Sequence, residues 1–212
     1  MCNAACIEFG RSCLTRDEVL NKNVIEVGSL NVNGSLRADV EKFGSSSYLG
    51  VDVANGPGVD EICDINDLCR RYGPERFDVV ISTEVVEHVR DWRTAMSNLK
   101  RILRPNGTLL LTTRSKGFPY HGYPHDFWRY DVEDMKAIFS DLSIQIIERD
   151  PLSPGVFLKA VKPVGFSEKN LDAIDLYSIV TRRRCASVTG FDVYVRRMRY
   201  HVRRALAPVL PR

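Results

Sequence analysis

The sequence predicts an α/β protein: a doubly wound parallel sheet with helices on both faces, followed by a helical extension. Short apolar runs rich in β-branched residues alternate with amphipathic segments from about residue 20 to residue 162. Such alternation is typical of parallel strands joined by helices. The last two runs, 142–148 and 156–162, are close enough in sequence to pair as a hairpin. This hairpin predicts that the last strand of the sheet is reversed.

The apolar runs define the predicted strands, and turn or capping residues bound the helices between them. "FDVVIST" is nearly all apolar and β-branched, which indicates a strand buried on both faces. Strands are predicted at 23–29, 46–53, 59–65, 77–83 and 108–113. Helices are predicted at 33–44, 65–73, 84–104 and 131–140, after two short N-terminal helices. Two further helices are predicted in the extension, at 168–180 and 190–206, and the second is basic and amphipathic.

The composition predicts one domain with room for additional elements. Of the 212 residues, 44% are hydrophobic and 27% are charged, and no run of about 18 apolar residues could span a membrane. The segment "MCNAACIEFG" lacks the basic start and long apolar core of a signal peptide, so we expect a cytoplasmic protein with reduced cysteines. Residues 182–212 contain nine Lys or Arg and one Asp, whereas the rest of the chain is mildly acidic.

Glycines and carboxylates follow the predicted strands at the edge where open parallel sheets bind ligands. Gly28 and Gly34 lie in the loop after the first strand, Asp52 ends the second strand, and Asp64 ends the third. A carboxylate after the second strand can accept hydrogen bonds from both ribose hydroxyls, and one after the third can accept from an exocyclic amine. These residues predict a nucleoside-containing cofactor. An NAD-type dehydrogenase would need a tighter glycine pattern and would leave "EVVEHV", residues 84–89, unexplained.

Five segments resemble, in order, the motifs of class I S-adenosylmethionine-dependent methyltransferases: "VIEVGS", "YLGVDV", "CDIND", "FDVVISTEVVEHV" and "RILRPNGTLLLTT". The resemblance covers about residues 20–162. It implies a Rossmann-like sheet of seven strands with a reversed last strand, a methyltransferase domain over residues 1–166, and a basic helical extension over residues 167–212. It also implies S-adenosyl-L-methionine as the cofactor, held by Glu26, Gly28 and Ser29 at the methionine end, Asp52 and Val53 at the ribose, Asp64 and Ile65 at the adenine edge, and Thr83.

The loop after Gly28 departs from the pattern of that family. Leu30 and Val32 stand where the family often has glycines. Asparagine tolerates the left-handed backbone region better than most residues. Asn31, Asn33 and Gly34 are therefore expected to supply the unusual backbone angles of this loop.

The predicted loop "GFPYHGYPHDFWRY", residues 117–130, contains six of the nineteen aromatic residues of the chain and two of its four histidines, His121 and His125. Some rings are expected to pack as a lid over the sheet, and rings with polar tips also suit the faces and hydroxyls of a sugar. "PHDFWR" resembles the Pro–x–Asp–aromatic–Trp–Arg pattern of methyltransferases of glycan biosynthesis. "MCNAAC", the chain length and the basic tail resemble the actinobacterial 1-O-methyltransferases of methylmannose polysaccharide biosynthesis, which act on 3-O-methylmannosides.

Three polar residues of "EVVEHV" are predicted to share one face at the start of the helix after the fourth strand: Glu84, Glu87 and His88. The helix dipole alone explains two carboxylates in a first turn, but an imidazolium there would oppose it. We therefore predict a divalent-metal site of these three residues, with His125 as the fourth ligand and His121 as its substitute. The stretch resembles the small-RNA 3′-end methyltransferases, which hold Mg²⁺ with such a set, and the nitrogen ligands would also suit Mn²⁺. The unbound histidine is predicted to take the proton, with Asp126 orienting it.

These observations predict an O-methyltransferase that acts on a sugar hydroxyl. An alcohol is a poor nucleophile at neutral pH, so a base or a metal must assist it, and the enzyme mainly aligns the oxygen with the sulfonium methyl group. The alternatives are methylation of an RNA ribose hydroxyl, methylation of a quinone-precursor phenol, and a non-catalytic module that uses the fold as an interaction surface. The acidic body argues against a nucleic-acid partner. The expected partners are a saccharide acceptor and a second copy of the chain in a homodimer.

Overall fold

The computed structural model describes residues 4–122 and 125–206, with side chains up to residue 200. Several parts of the sequence features described above therefore lie outside the described residues: the first three residues of "MCNAAC", Tyr123 and Pro124 of the aromatic loop, and the end of the basic extension. Within the described parts of the chain, no helix is long and apolar enough to cross a bilayer.

Ten strands lie in the described residues: β1 (Asn23–Val27), β2 (Ser47–Asp52), β3 (Glu61–Ile62), β4 (Phe77–Thr83), β5 (Leu103–Arg114), β6 (Trp128–Arg129), β7 (Ser143–Arg149), β8 (Gly155–Val161), β9 (Leu176–Ser178) and β10 (Arg183–Cys185). Seven form one sheet in the order β3-β2-β1-β4-β5-β8-β7. Strands β3, β2, β1, β4 and β5 run parallel to one another, and β8 runs antiparallel between β5 and β7. The predicted doubly wound, seven-stranded sheet with a reversed last strand is thus confirmed.

Helices cover both faces of this sheet: α1 (Ala4–Cys13), α2 (Arg16–Val19), α3 (Arg37–Lys42), α4 (Leu68–Tyr72), α5 (Trp92–Ile102) and α6 (Val132–Ile138), with α7 (Gly190–Leu206) after them. On one face, Phe9 of α1 and Val40 of α3 are buried in a shared apolar cluster. On the other face, Trp92, Met96 and Leu99 of α5 belong to the larger core. Burial of such side chains from water is the main driving force for folding.

The predicted helix over residues 84–104 is wrong at its start. Glu84 has φ +59°, a left-handed conformation that a right-handed helix cannot include. Val86–His88 then form one 3₁₀ turn, and α5 begins only after Asp91, whose carboxylate accepts the amide N–H of Thr94 at 3.3 Å. "EVVEHV" is therefore a tight turn between β4 and α5, and the helix dipole does not explain its carboxylates.

The predicted helix over residues 168–180 is also wrong, because this segment contains β9. The strands β10, β9 and β6 form a small antiparallel sheet in that order. Trp128 pairs with Ser178, and Arg129 pairs with Tyr177. The aromatic loop and the extension thus share one sheet.

The guanidinium of Arg93 on α5 fastens the extension to the domain. It donates hydrogen bonds to the main-chain carbonyls of Leu171 at 3.1 Å, Ile174 at 2.6 Å and Ala186 at 2.5 Å. Because these carbonyls lie in irregular segments, a side-chain donor takes the place of a regular ladder partner. Arg93 therefore helps to determine where the extension lies on the larger core, together with the pairing of β9 with β6.

The predicted basic helix of the extension is confirmed at Gly190–Leu206, but its described apolar side chains are only partly covered: Val193 packs against the larger core, and others are exposed. Phe191 is 72% exposed and Met198 is 45% exposed. The spacing of Phe191 and Met198 in the sequence predicts that both lie on an apolar face, which is expected to dock on the same domain or on a second copy of the chain. Packing on the same domain is wrong for both residues, and the homodimer stays a prediction.

Replacing Arg93 by alanine is expected to lower the free energy of unfolding by about 2 kcal/mol, because several hydrogen bonds from a charged donor are lost while their carbonyls stay partly buried. Urea denaturation of the full chain measures this change. Arg70→Ala is the matched control, since the Arg70 side chain is 79% exposed. Equal stability of Arg93→Ala and the wild-type chain would contradict the anchoring role.

Candidate functional site

The predicted site residues lie at the ends of neighbouring parallel strands. Gly28 follows β1, Asp52 ends β2 and Thr83 ends β4, and Arg114, which was not predicted, ends β5 beside them. Since the carboxyl ends of parallel strands meet at one edge of a sheet, these residues form the rim where ligands bind in such folds.

Gly28 connects the loop after β1 to the turn after β4. Its φ of +83° favours glycine, and a Cβ at this position would lie 2.0 Å from Cγ2 of Val85. Of the residues expected to supply unusual angles farther along the loop, only Gly34 has a positive φ, +125°. That expectation is wrong for Asn31, which instead accepts the amide N–H of Gly34 at 3.0 Å through its side chain. It is equally wrong for Asn33.

Glu26 and Ser29 lie where the methionine end of the cofactor was predicted. The buried Glu26 carboxylate accepts hydrogen bonds from the Tyr48 hydroxyl at 2.6 Å and from the Ser35 hydroxyl at 3.2 Å. Burial raises the pKa of Glu26 despite these two donors. The buried Ser29 hydroxyl has no hydrogen-bond partner among the described residues. An unpaired buried hydroxyl beside Gly28 fits a loop that receives a polar ligand.

The predicted ribose and adenine residues lie farther along the same edge. The Asp52 carboxylate accepts the amide N–H groups of Leu30 at 3.2 Å and Ala54 at 3.0 Å, so it links the loops after β1 and β2. Val53 is 63% exposed. Asp64 caps the 3₁₀ turn Ile65–Asp67, and the first residue of that turn is buried. The placement agrees with a cofactor edge, and the individual roles stay predictions.

Glu84 makes contacts that a metal ligand would not make. It forms an ion pair with the buried Arg114, and it accepts hydrogen bonds from the Thr112 hydroxyl at 3.1 Å and the Cys6 thiol at 3.6 Å. Burial raises the pKa of Glu84, the Glu87 carboxylate raises it further, and Arg114 opposes both. Its assignment as a metal ligand is not supported, because its carboxylate already has protein partners.

Arg114 is a residue that the sequence analysis missed. Besides Glu84, it binds the Asp150 carboxylate at 3.0 Å and the Ser153 hydroxyl at 2.8 Å in the turn before β8, and its guanidinium lies 4.4 Å from the ring centroid of Phe118. A charged residue directly after the apolar run "TLLLTT" was the available signal. Its buried position requires paired acids nearby.

The structure brings three donors together under the aromatic loop: Glu87, His88 and His121. Oε1 of Glu87 lies 3.9 Å from Nε2 of His88 and 3.6 Å from Nε2 of His121, and one donor atom from each residue lies within 4.8 Å of the others. Since ligand–metal bonds are about 2.1 Å long, two ligands of one ion lie roughly 3–4 Å apart. Neither Oε1 of Glu87 nor Nε2 of His121 has a hydrogen-bond partner among the described residues. These orphaned buried atoms fit a divalent cation.

The contact of its other ring nitrogen indicates which nitrogen of each histidine faces the group. Nδ1 of His88 lies 2.5 Å from the main-chain carbonyl of His125. Because a carbonyl only accepts, Nδ1 carries the proton and Nε2 keeps its lone pair. Nδ1 of His121 lies 3.0 Å from the Asp126 carboxylate. Both arrangements are typical of metal-binding histidines.

The sequence predicted His125 as the fourth metal ligand and His121 as its substitute, but His121 is the one that lies beside Glu87 and His88. The imidazole of His125 lies beside Phe127, with ring centroids 5.6 Å apart, and it does not join the three donors. His121, the predicted substitute, joins them instead. Asp126 contacts His121, a member of the donor group, whereas the sequence predicted that Asp126 would orient the unbound histidine that takes the proton.

Arg129 holds Asp126 and the loop in place. Its buried guanidinium donates to both carboxylate oxygens of Asp126, at 2.6 and 2.7 Å, and to the carbonyls of Phe118 at 3.2 Å and Pro119 at 2.9 Å. In the sequence, Arg129 stands out only as the last residue of the "PHDFWR" motif. Its positioning role could not be predicted, because several of its partners are main-chain carbonyls, which a sequence does not distinguish.

The aromatic loop rests on the turn after β4 through main-chain contacts. The amide of Phe127 donates to the carbonyl of Glu87 at 2.8 Å, and the Tyr130 hydroxyl donates to the carbonyl of Val86 at 3.1 Å. The indole N–H of Trp128 donates to the carbonyl of Val89 at 3.0 Å. These bonds place His121 opposite Glu87.

Comparison with known proteins identifies the class of the domain. The family described as a methyltransferase domain matches residues 12–144. The human mitochondrial ubiquinone biosynthesis O-methyltransferase is 36% identical over 55 residues, which cover 26% of this chain and 15% of that protein. The ubiquinone biosynthesis O-methyltransferase of Bartonella tribocorum is 23% identical over 131 residues, which cover 56% of this chain and 51% of that protein. The chain thus matches about half or less of the length of these relatives.

Solved structures share the fold. The 1,6-didemethyltoxoflavin-N1-methyltransferase of Burkholderia thailandensis, crystallised with S-adenosylhomocysteine, has a TM-score of 0.62 at 14% identity, covering 76% of this chain and 80% of that one. At this identity the similarity shows the fold alone.

The environment of His121 predicts a pH dependence in the metal-free chain. Burial lowers the pKa of His121, but Asp126 and Glu87 outweigh it and raise the pKa to about 9 from an ordinary value of 6.5. Protonated His121 therefore stabilises the fold fully below pH 6.5, and this stabilisation is lost as the pH rises through 9. Proton NMR of the imidazole after chelation measures the titration. Asp126→Asn should lower the titration midpoint, whereas the exposed Asp172→Asn should not. A wild-type midpoint near 6.5 would contradict the assignment.

Proposed function

Since this chain belongs to the methyltransferase-domain family, we propose that it transfers the methyl group of S-adenosyl-L-methionine to a hydroxyl oxygen of a sugar. Membership of this family and the Rossmann-like fold support a methyltransferase, and the use of S-adenosyl-L-methionine as methyl donor is part of the proposal. The observation that carries the proposal is the group Glu87, His88 and His121 at the carboxyl edge of the sheet: their donor atoms converge, and Oε1 of Glu87 and Nε2 of His121 have no hydrogen-bond partner among the described residues. Such a group suits an oxygen nucleophile, since amines need no metal to attack a methyl sulfonium.

The three donors would hold a divalent metal, Mg²⁺ or Mn²⁺. A carboxylate with two imidazoles is a mixed set that suits Mn²⁺ somewhat better than Mg²⁺, which prefers oxygen ligands. When bound, such an ion lowers the pKa of an alcohol and orients its oxygen. The protein residues that keep the donors in place are Asp126, behind His121, and the Thr113 hydroxyl, which donates to Glu87 at 2.9 Å.

Residues of the loop would orient the acceptor and receive its proton. His125 is exposed, and its ring lies outside the three donors, so we assign it as the base that takes the hydroxyl proton on an imidazole nitrogen. The sugar oxygen forms a bond to the methyl carbon while the bond between that carbon and sulfur breaks. The electron pair of the broken bond stays on sulfur, which gives S-adenosylhomocysteine. The loop after β1, with Gly28 and Ser29, would place the donor in line.

The aromatic loop supports a saccharide acceptor. Tyr120 is 42% exposed next to His121, and its ring presents both an apolar face and a hydroxyl, the combination that stacks on a sugar ring. Together with the resemblance of "PHDFWR" to methyltransferases of glycan biosynthesis, this favours a sugar, and the 1-hydroxyl of a 3-O-methylmannoside is the specific acceptor that we propose.

A phenolic quinone precursor is the second candidate, because the matched relatives include ubiquinone biosynthesis O-methyltransferases. A catechol also presents two neighbouring oxygens to a metal. The two candidates differ in what the aromatic loop must contact: a sugar offers hydroxyls to its polar tips, whereas a quinone precursor offers a flat ring.

The acceptor is tested by radiolabelled methyl transfer from S-adenosylmethionine to 3-O-methylmannosides, catechol quinone precursors and short RNAs. We expect transfer to the mannoside at its 1-hydroxyl and none to RNA. Unmethylated mannose and a mannoside already methylated at its 1-hydroxyl are the controls. Transfer to the catechol alone would replace the sugar by the second candidate.

The metal site is tested with excess chelator and with Glu87→Gln and His88→Ala. We expect each to reduce methyl transfer at least about tenfold and the two variants to weaken Mn²⁺ binding, followed by electron paramagnetic resonance, by at least about tenfold. Calorimetric affinity for S-adenosylmethionine should stay unchanged. Glu133→Gln, at an exposed carboxylate on α6, is the control. Undiminished activity in chelator would remove the metal from the proposal.

A further inference from the structure

We propose that Arg196 of α7 is a positioning residue for the active-site loop and that it acts on His121 through Tyr120. The inference rests on the proposed function of that site. It assigns a role in the reaction to the C-terminal extension, which lies outside the segment matched by the methyltransferase family, residues 12–144.

Arg196 bridges two parts of the chain that both adjoin the site. Its guanidinium donates to the main-chain carbonyl of Ile179 at 2.9 Å. The same guanidinium lies 3.9 Å from the ring centroid of Tyr120, within the range of a cation–π interaction. Tyr120 directly precedes His121, so the orientation of its backbone sets where the imidazole can point.

The residue that anchors Arg196 also holds the other end of the loop. The amide of Ile179 donates to the carbonyl of Phe127 at 3.0 Å, next to the pairing of β6 with β9. The connection therefore runs from Phe127 through Ile179 and Arg196 to Tyr120 and closes across the loop. Both ends of the segment that contains His121 and Asp126 are thus fixed to the extension.

The exposure of α7 favours this role over a purely structural one. A helix that only stabilised the fold would bury its large apolar side chains, yet Phe191, Tyr194 and Met198 are exposed. The half-buried positions of the helix include Val193 and Arg196, which face the loop and the extension strands. The contact of Arg196 with Tyr120 is therefore the feature of this helix that reaches the site.

The loop can be examined independently of the reaction by hydrogen–deuterium exchange. The amide of His121 donates to the Asp126 carboxylate at 2.9 Å, so it reports whether the loop keeps its conformation. Arg196→Gln keeps a donor for Ile179 but removes the charge over the Tyr120 ring. We expect exchange in the peptide over residues 117–122 to become about two- to fivefold faster, as for loss of an exposed cation–π contact. Arg196→Lys should restore the wild-type rate, and Arg199→Gln, at an exposed position of the same helix, should not change it.

The same variants are then compared in methyl transfer. Arg196→Gln should raise the KM for the acceptor and weaken Mn²⁺ binding by a similar two- to fivefold factor, with an unchanged affinity for S-adenosylmethionine and a melting temperature lowered by no more than about 4 °C. In a double-mutant cycle, Tyr120→Leu should remove the effect of Arg196→Gln. Unchanged exchange and unchanged KM in Arg196→Gln would overturn the inference while leaving the proposed function intact. If Arg196→Gln speeds exchange over residues 117–122 but the wild-type protein methylates no sugar, the positioning role of Arg196 is supported and the proposed function is overturned.

Discussion

Arg129 carries a full charge in the interior of the protein, and its environment leaves it no freedom. A buried guanidinium is stable only when its N–H groups find partners, because its desolvation costs several kcal/mol. Here the partners are the Asp126 carboxylate and main-chain carbonyls on both sides of the aromatic loop. The loop must therefore pass close around this one side chain. That path presents Asp126 to His121 and turns the imidazole toward Glu87.

A second buried arginine acts on the opposite wall of the site. Arg114 contacts Glu84, Asp150 and the ring of Phe118, so it joins the turn after β4, the turn before β8 and the beginning of the loop. The left-handed conformation of Glu84 is strained for a residue with a side chain and persists only where surrounding contacts over-determine it. The ion pair with Arg114 is such a contact. The two arginines thus hold the turn after β4 and the aromatic loop, the two segments that carry Glu87 and His121.

The sheet could be predicted from the sequence because its signal is local. Each strand is an apolar run bounded by turn residues, and the hairpin of the last two strands follows from their short separation. The left-handed Glu84 could not be predicted, because its contacts with Cys6 and Arg114 join residues far apart in the chain. Which of His121 and His125 lies beside Glu87 could not be predicted either. The path of the loop depends on main-chain carbonyls that Arg129 binds, and every residue has such a carbonyl, so the sequence does not show which ones are bound. Strand β9 formed where helical spacing was present because tertiary pairing with β6 overrode the local preference.

The contact between Gly28 and Val85 has a consequence for how such a chain can diverge. The floor of the donor loop and the back of the turn that carries Glu87 touch at van der Waals distance, so a larger residue at position 28 has no room unless position 85 becomes smaller at the same time. The positive φ of Gly28 disfavours a larger residue even where position 85 becomes smaller, so position 28 should stay glycine across descendants of this sequence. The loop after β1 and the turn after β4 should therefore be inherited together as one unit.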